Sequence, residues 1–84
     1  INPIIEDAKF LTDVEKLLPE EKFDQNTWGK WIEKIKAETD RKGENLFMPL
    51  RLAITGFKHG PELKKLLPVI GREKVVSRLK GLKG

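Results

Sequence analysis

Apolar residues recur at helical spacing along most of the chain, and no segment alternates with period two for long, so the pattern predicts an all-α fold. From Ile4 to Pro19, the positions Phe10, Leu11, Val14, Leu17 and Leu18 fall on one helical face. Pro19 should end that helix, because proline has no N–H and clashes with the preceding turn. A polar stretch connects it to a second helix, TWGKWIEKIKAET, with Asn26 or Thr27 as its cap. Trp28, Trp31, Ile32 and Ile35 stand at i, i+3, i+4 and i+7, which makes a single apolar stripe. Gly29 weakens this helix by about 1 kcal/mol relative to alanine.

The segment LFMPLRLAITGFKHGPELKKLL, residues 46–67, carries unusually dense punctuation. Pro49 suits a first helical position, where its missing N–H would have no partner in any case. Leu50, Ala53 and Ile54 then face inward, Arg51 and Thr55 project elsewhere, and Gly56 is a left-handed stop. Gly60-Pro61-Glu62 reads as the next start, with Pro61 first in the helix and Glu62 in its first turn. Leu63, Leu66, Leu67 and Ile70 are its apolar side, and Pro68 should kink or end it. A last helix directs Val75, Val76, Leu79 and Leu82 inward. The expectation is one small bundle of about four or five short helices, a single domain over residues 1–84.

Charge divides this domain. Residues 1–40 carry a net charge of about −4 and residues 41–84 about +8. The basic half points to a polyanionic partner, with a solvated lysine-rich surface as the plain alternative. Lys64, Lys65, Arg72, Lys74, Arg78, Lys80 and Lys83 suit a general positive field better than individual contacts. The chain has no cysteine, which removes disulfides and thiolate metal sites and fits a reducing compartment. No apolar run approaches the length of a membrane span. A first residue of isoleucine reads as a piece of something longer.

Catalysis needs a nucleophile, a tuned acid–base pair or a metal. The chain offers one histidine, His59, and nothing to complete a triad with Ser77. Gly56, Gly60 and Gly71 are spaced as helix punctuation and not as a phosphate loop. No catalytic residue and no metal site is expected. The corner between the two central helices is better suited to binding. Its helix N-terminus favours an anion, and the Arg51 fork can pair with a base edge or a phosphate. Alternatively, Arg51 could pair internally with Glu44 or Glu62. Phe57 or His59 could stack on a base, although Phe57 fits better as a lid on the core. Trp28 and Trp31 fit the core better than recognition.

The stretch RKGENLFMPLRLAITGFKHGPELKKLLPVIGREKVVSRL, residues 41–79, resembles the C-terminal end of bacterial glutamyl-tRNA synthetases. It follows that family's order of Lys-Gly, Pro-Leu-Arg, Thr-Gly, His-Gly-Pro-Glu-Leu and a closing Arg-Leu helix. Residues 1–40 are similar only in general character, a helix ending at Leu-Leu-Pro before a tryptophan-bearing helix. The resemblance implies an α-helical domain of a cytoplasmic, monomeric class I aminoacyl-tRNA synthetase, reading the anticodon loop of tRNA(Glu). It implies anticodon contacts from Arg51 and from the corner residues Gly60, Pro61 and Leu63. Thr55, Lys58, His59, Lys34, Lys36 and Lys42 are candidates for supporting contacts. Gly60 stands where some relatives carry a hydroxyl, so only its backbone could serve. The parent enzyme would join glutamate to tRNA using ATP and Mg²⁺ bound in a catalytic domain that this chain lacks, and the rest of that chain would be a partner. The rival reading is a helical DNA-binding or protein-interaction domain using the same basic half.

Overall fold

In the computed structural model, which describes residues 3–82, Asp7 opens the first helix by accepting a hydrogen bond from the Phe10 N–H at 3.1 Å. This helix, α1, spans Ala8–Glu15 and is shorter than the hydrophobic pattern suggests. Residues 4–7 are not helical; the Ile4 N–H instead donates to the Leu52 carbonyl at 3.0 Å, lying the chain along another helix. At the other end, Leu17 and Leu18 bond back three residues to Val14 and Glu15, a tightened turn that closes the helix ahead of Pro19. Leu18 remains buried, so the pattern marked its inward residues correctly while overstating the helix.

The second helix, α2, spans Thr27–Glu38 with Asn26 in the cap position. The Asn26 side chain makes no capping bond. The Thr27 hydroxyl ties the entry turn instead, accepting from the Asp24 N–H at 2.7 Å. Trp31, Ile32 and Ile35 are buried as the stripe predicts, and the Trp31 indole N–H donates to the Val14 carbonyl at 2.8 Å. That bond fixes α2 against the end of α1 and satisfies the ring's one polar atom inside the core.

Helix α3 spans Glu44–Thr55, so it begins well before Pro49, contrary to the first-position expectation. A proline inside a helix leaves the carbonyl four residues back without its usual donor. Here that carbonyl belongs to Asn45, and the Arg41 guanidinium donates to it at 3.2 Å. Arg41 also pairs with Asp7 and stacks its guanidinium 3.9 Å above the Phe10 ring, so one side chain joins the starts of α1 and α3. The Arg41 guanidinium, and then the Phe10 N–H, hold the Asp7 carboxyl below the ordinary aspartate range. Gly56 ends α3 in the left-handed conformation, φ 77° and ψ 5°, as read from the sequence.

Helix α4 spans Leu63–Ile70 and α5 spans Arg72–Leu79. Helix α4 starts two residues later than Pro61, because Glu62 is still extended, at φ −62° and ψ 134°. Pro68 lies within the last turn, and the helix stops at Gly71, whose φ of 89° lets one residue close α4 and open α5. Val75 and Leu79 face the core, whereas Leu82 is 57% exposed and does not turn inward. The chain leaves α5 through Gly81, and the Leu82 N–H closes back on the Ser77 carbonyl at 2.9 Å, which carries the side chain away.

The described residues thus form five helices and no strand. Helix α2 packs on α4, α3 on α5, α4 on α5 and α1 on α5. A single apolar cluster draws Phe10, Leu11 and Val14 of the acidic half together with Leu50, Ile54, Leu67 and Val75 of the basic half. The loop from Gly56 to Glu62 connects α3 to α4, and its residues 57–62 are exposed.

Candidate nucleic-acid interface

Arg51 sits on α3 one turn before the Gly56 stop, and its Nη2 donates to the Pro61 carbonyl at 2.8 Å. Its Nη1 is buried without a hydrogen-bond partner. Neither Glu44 nor Glu62 pairs with it; the ion pairs among the described residues are Lys30–Glu21 and Arg41–Asp7. The guanidinium lies so close over Gly60 that an added Cβ there would be 3.4 Å from Nη1. Gly60 also has φ of 152°, which side-chain-bearing residues rarely adopt. Arg51, Gly60 and Pro61 are therefore one local unit: the arginine braces the loop, and the glycine lets it approach. Leu63 adjoins them but is buried, with 5% of its surface exposed.

The remaining candidates separate. The Thr55 hydroxyl is engaged locally, donating to the Arg51 carbonyl at 2.8 Å and accepting from the Phe57 N–H at 3.1 Å. Lys58 and His59 are exposed on the loop. Lys34 and Lys36 are both exposed but two residues apart on one helix, so they project to nearly opposite sides. Lys42 precedes the start of α3 at Glu44, which itself lies roughly 10 Å along the helix from Arg51.

Two expectations reverse. Phe57 is 67% exposed and does not cover the core, because the left-handed turn at Gly56 and the Thr55–Phe57 bond carry it outward. Arg78, counted with the surface cations, is buried; its Nη1 donates to the Ile54 carbonyl at 2.9 Å. It satisfies the end of α3, and its charge is not presented to solvent.

One feature beside these residues was not anticipated from the sequence. Trp28 is only half-buried; it meets Trp31 edge-on at 5.9 Å and lies 6.0 Å from the Phe47 ring. Trp28 and Phe47, with Arg51, Glu62, Leu63 and Lys64, line a cavity of about 340 Å³. A second cavity, of about 210 Å³, lies between the loop and α4 and includes Arg51, Phe57, His59 and Pro61 in its wall. Arg51 borders both. The available signal was spacing: Phe47 and Arg51 are four residues apart and share a helix face.

Comparison with known proteins places this helical bundle among its relatives. A match to the anticodon binding domain family runs over residues 5–82. The chain belongs to that family. Glutamate–tRNA ligase 2 of Methylorubrum populi is 51% identical over 96% of this chain, which covers 18% of that protein. Glutamate–tRNA ligase 1 of Parvibaculum lavamentivorans is 51% identical over 98% of this chain, and the corresponding ligase 1 of Rhodospirillum rubrum is 51% identical over 99%. The chain spans less than a fifth of the length of these relatives, 18% and 19% of the last two. No solved structure matches it. Among the described residues no group of three or more His, Asp or Glu side chains could hold a metal ion. No described helix is long and apolar enough to cross a membrane.

Proposed function

We propose that this anticodon binding domain recognises the anticodon loop of tRNA(Glu) as part of a monomeric, cytoplasmic glutamate–tRNA ligase. The observation that carries the reading is Arg51, held by the Pro61 carbonyl, bordering two cavities and unpaired with any described carboxylate. Once it releases the Pro61 carbonyl, its planar fork can turn to meet the edge of a base that is free of pairing, and loop bases are the usual targets of sequence-specific RNA recognition. Gly60 and Pro61 offer backbone groups beside it, and Leu63 forms an apolar floor. Exposed Lys58, Lys64 and Lys65 contribute a positive field for the phosphates.

The domain's role in the reaction is discrimination. A base that cannot accept from Arg51 leaves a desolvated guanidinium without a partner, a loss of about 1–3 kcal/mol. Activation of glutamate by ATP with Mg²⁺, and transfer to the tRNA terminus, belong to the rest of the ligase chain. The test is competition between the tRNA(Glu) anticodon stem-loop and an RNA duplex of equal charge for the 84-residue chain, repeated at rising salt. The stem-loop should win, and its advantage should persist as salt weakens both. A preference for duplex overturns the proposal.

A further inference from the structure

We propose that Trp28 and Phe47, with Glu62 lining the same cavity, form a stacking subsite for one unstacked cytosine, a subsite distinct from the Arg51–Pro61 contact. The inference rests on the anticodon reading and deepens it. Both rings line the cavity of about 340 Å³, one from α2 and one from α3, and neither is fully covered by the fold: Trp28 is half-buried and Phe47 is 37% exposed. Their centroids are 6.0 Å apart at an interplanar angle of 36°, so they are adjoining walls and not a closed stack. Partly open aromatic surface beside a cationic rim suits the face of a nucleobase, which stacks whatever its sequence.

Glu62 supplies the selectivity. It occupies the cap position of α4, yet its side chain makes no capping bond. It forms no ion pair with Arg51 or Lys64, although all three line this cavity. An ionised carboxylate only accepts hydrogen bonds. The amino group on cytosine C4 donates to such a group, whereas uracil presents a carbonyl oxygen at that place and is repelled. Lys64, which also lines this cavity, is a donor for the ring's acceptors and for the adjoining phosphate.

The test uses the 84-residue chain and stem-loop RNAs that differ by a single cytosine-to-uracil change at each unpaired loop position, with an RNA duplex as control. Phe47→Leu probes stacking from a partly exposed position, and Glu62→Gln probes selectivity; thermal unfolding confirms that each variant folds. Phe47→Leu should weaken binding of the stem-loops by roughly five- to tenfold. Glu62→Gln should bring the cytosine-to-uracil preference at one loop position toward unity without weakening the uracil-bearing RNA. Removal of a negative charge alone would strengthen both RNAs and leave their ratio unchanged. Wild-type preference for the stem-loop, with both variants behaving as wild type or with that ratio unmoved, overturns the subsite and leaves the anticodon reading standing. Wild-type preference for the duplex overturns both.

Discussion

Replacing Arg51 by alanine should weaken RNA recognition while leaving the fold in place, and the structure explains why the two effects separate. In the free domain the side chain makes one hydrogen bond, Nη2 to the Pro61 carbonyl, on the exposed side of the molecule. Water can replace that donor, so the loss falls at the low end of the usual 0.5–1.5 kcal/mol or so for a hydrogen bond. The buried Nη1 has no partner, and its removal relieves an unfavourable group and offsets part of the loss. The net change in stability should stay within about 1 kcal/mol, a shift in Tm of no more than roughly 4–8 °C for a domain of this size. Binding should suffer more. One forked contact to a base contributes about 1–3 kcal/mol, equivalent to roughly a five- to 150-fold rise in Kd. Arg51→Lys keeps the charge but loses the fork, so it should preserve the salt dependence while losing base preference. Fluorescence anisotropy with a labelled tRNA(Glu) anticodon stem-loop, paired with thermal unfolding, measures both effects. A folded Arg51→Ala variant that binds as wild type would refute the assignment. A fall in Tm well beyond roughly 8 °C would instead show that Arg51 holds the whole fold together and not the loop alone.

Two further expectations concern the fold itself. Trp31→Phe should lower stability by about 2 kcal/mol, roughly half from the lost indole bond and the rest from lost packing. The loss is limited because the Val14 carbonyl keeps the Leu17 N–H at 3.0 Å; the expected fall in Tm is about 10 °C by calorimetry, and an unchanged Tm would contradict this account of the α1–α2 junction. Asp7 titrates lower when folded than when unfolded, so its contribution is present above the ordinary aspartate value of 3.8 and is lost as pH falls through the folded value. Asp7→Asn should therefore melt below wild type at neutral pH, with the gap closing as the pH drops under about 4; a gap independent of pH would show that the Arg41 pairing contributes nothing.

The helical class and much of the core were legible because they depend on local periodicity. Trp31, Ile32 and Ile35 lie where the stripe puts them, and Gly56 terminates α3 through its own backbone freedom. The misplacements share a cause: each was settled by a group distant in sequence or by a choice among equally good local signals. Pro49 looked like a start because the donor that makes an internal proline tolerable, Arg41, belongs to the preceding loop. Arg78 looked like a surface cation because a charge count cannot reveal the Ile54 carbonyl that it serves. Trp28 was absorbed into the core stripe because periodicity marks a face and says nothing of where that face runs past its neighbours. Chemistry and family resemblance singled out Arg51, but not its bond to Pro61 or the cavity shared with Phe47 and Glu62.

The most direct measurement is a titration of the tRNA(Glu) anticodon stem-loop into the isotope-labelled chain, following every backbone amide. The account predicts the largest changes at Arg51, through the Gly56–Leu63 corner, and at Trp28 and Phe47, with a matched duplex reproducing none of them. Changes spread evenly over the exposed lysines of α4 and α5, the same for stem-loop and duplex, would contradict it.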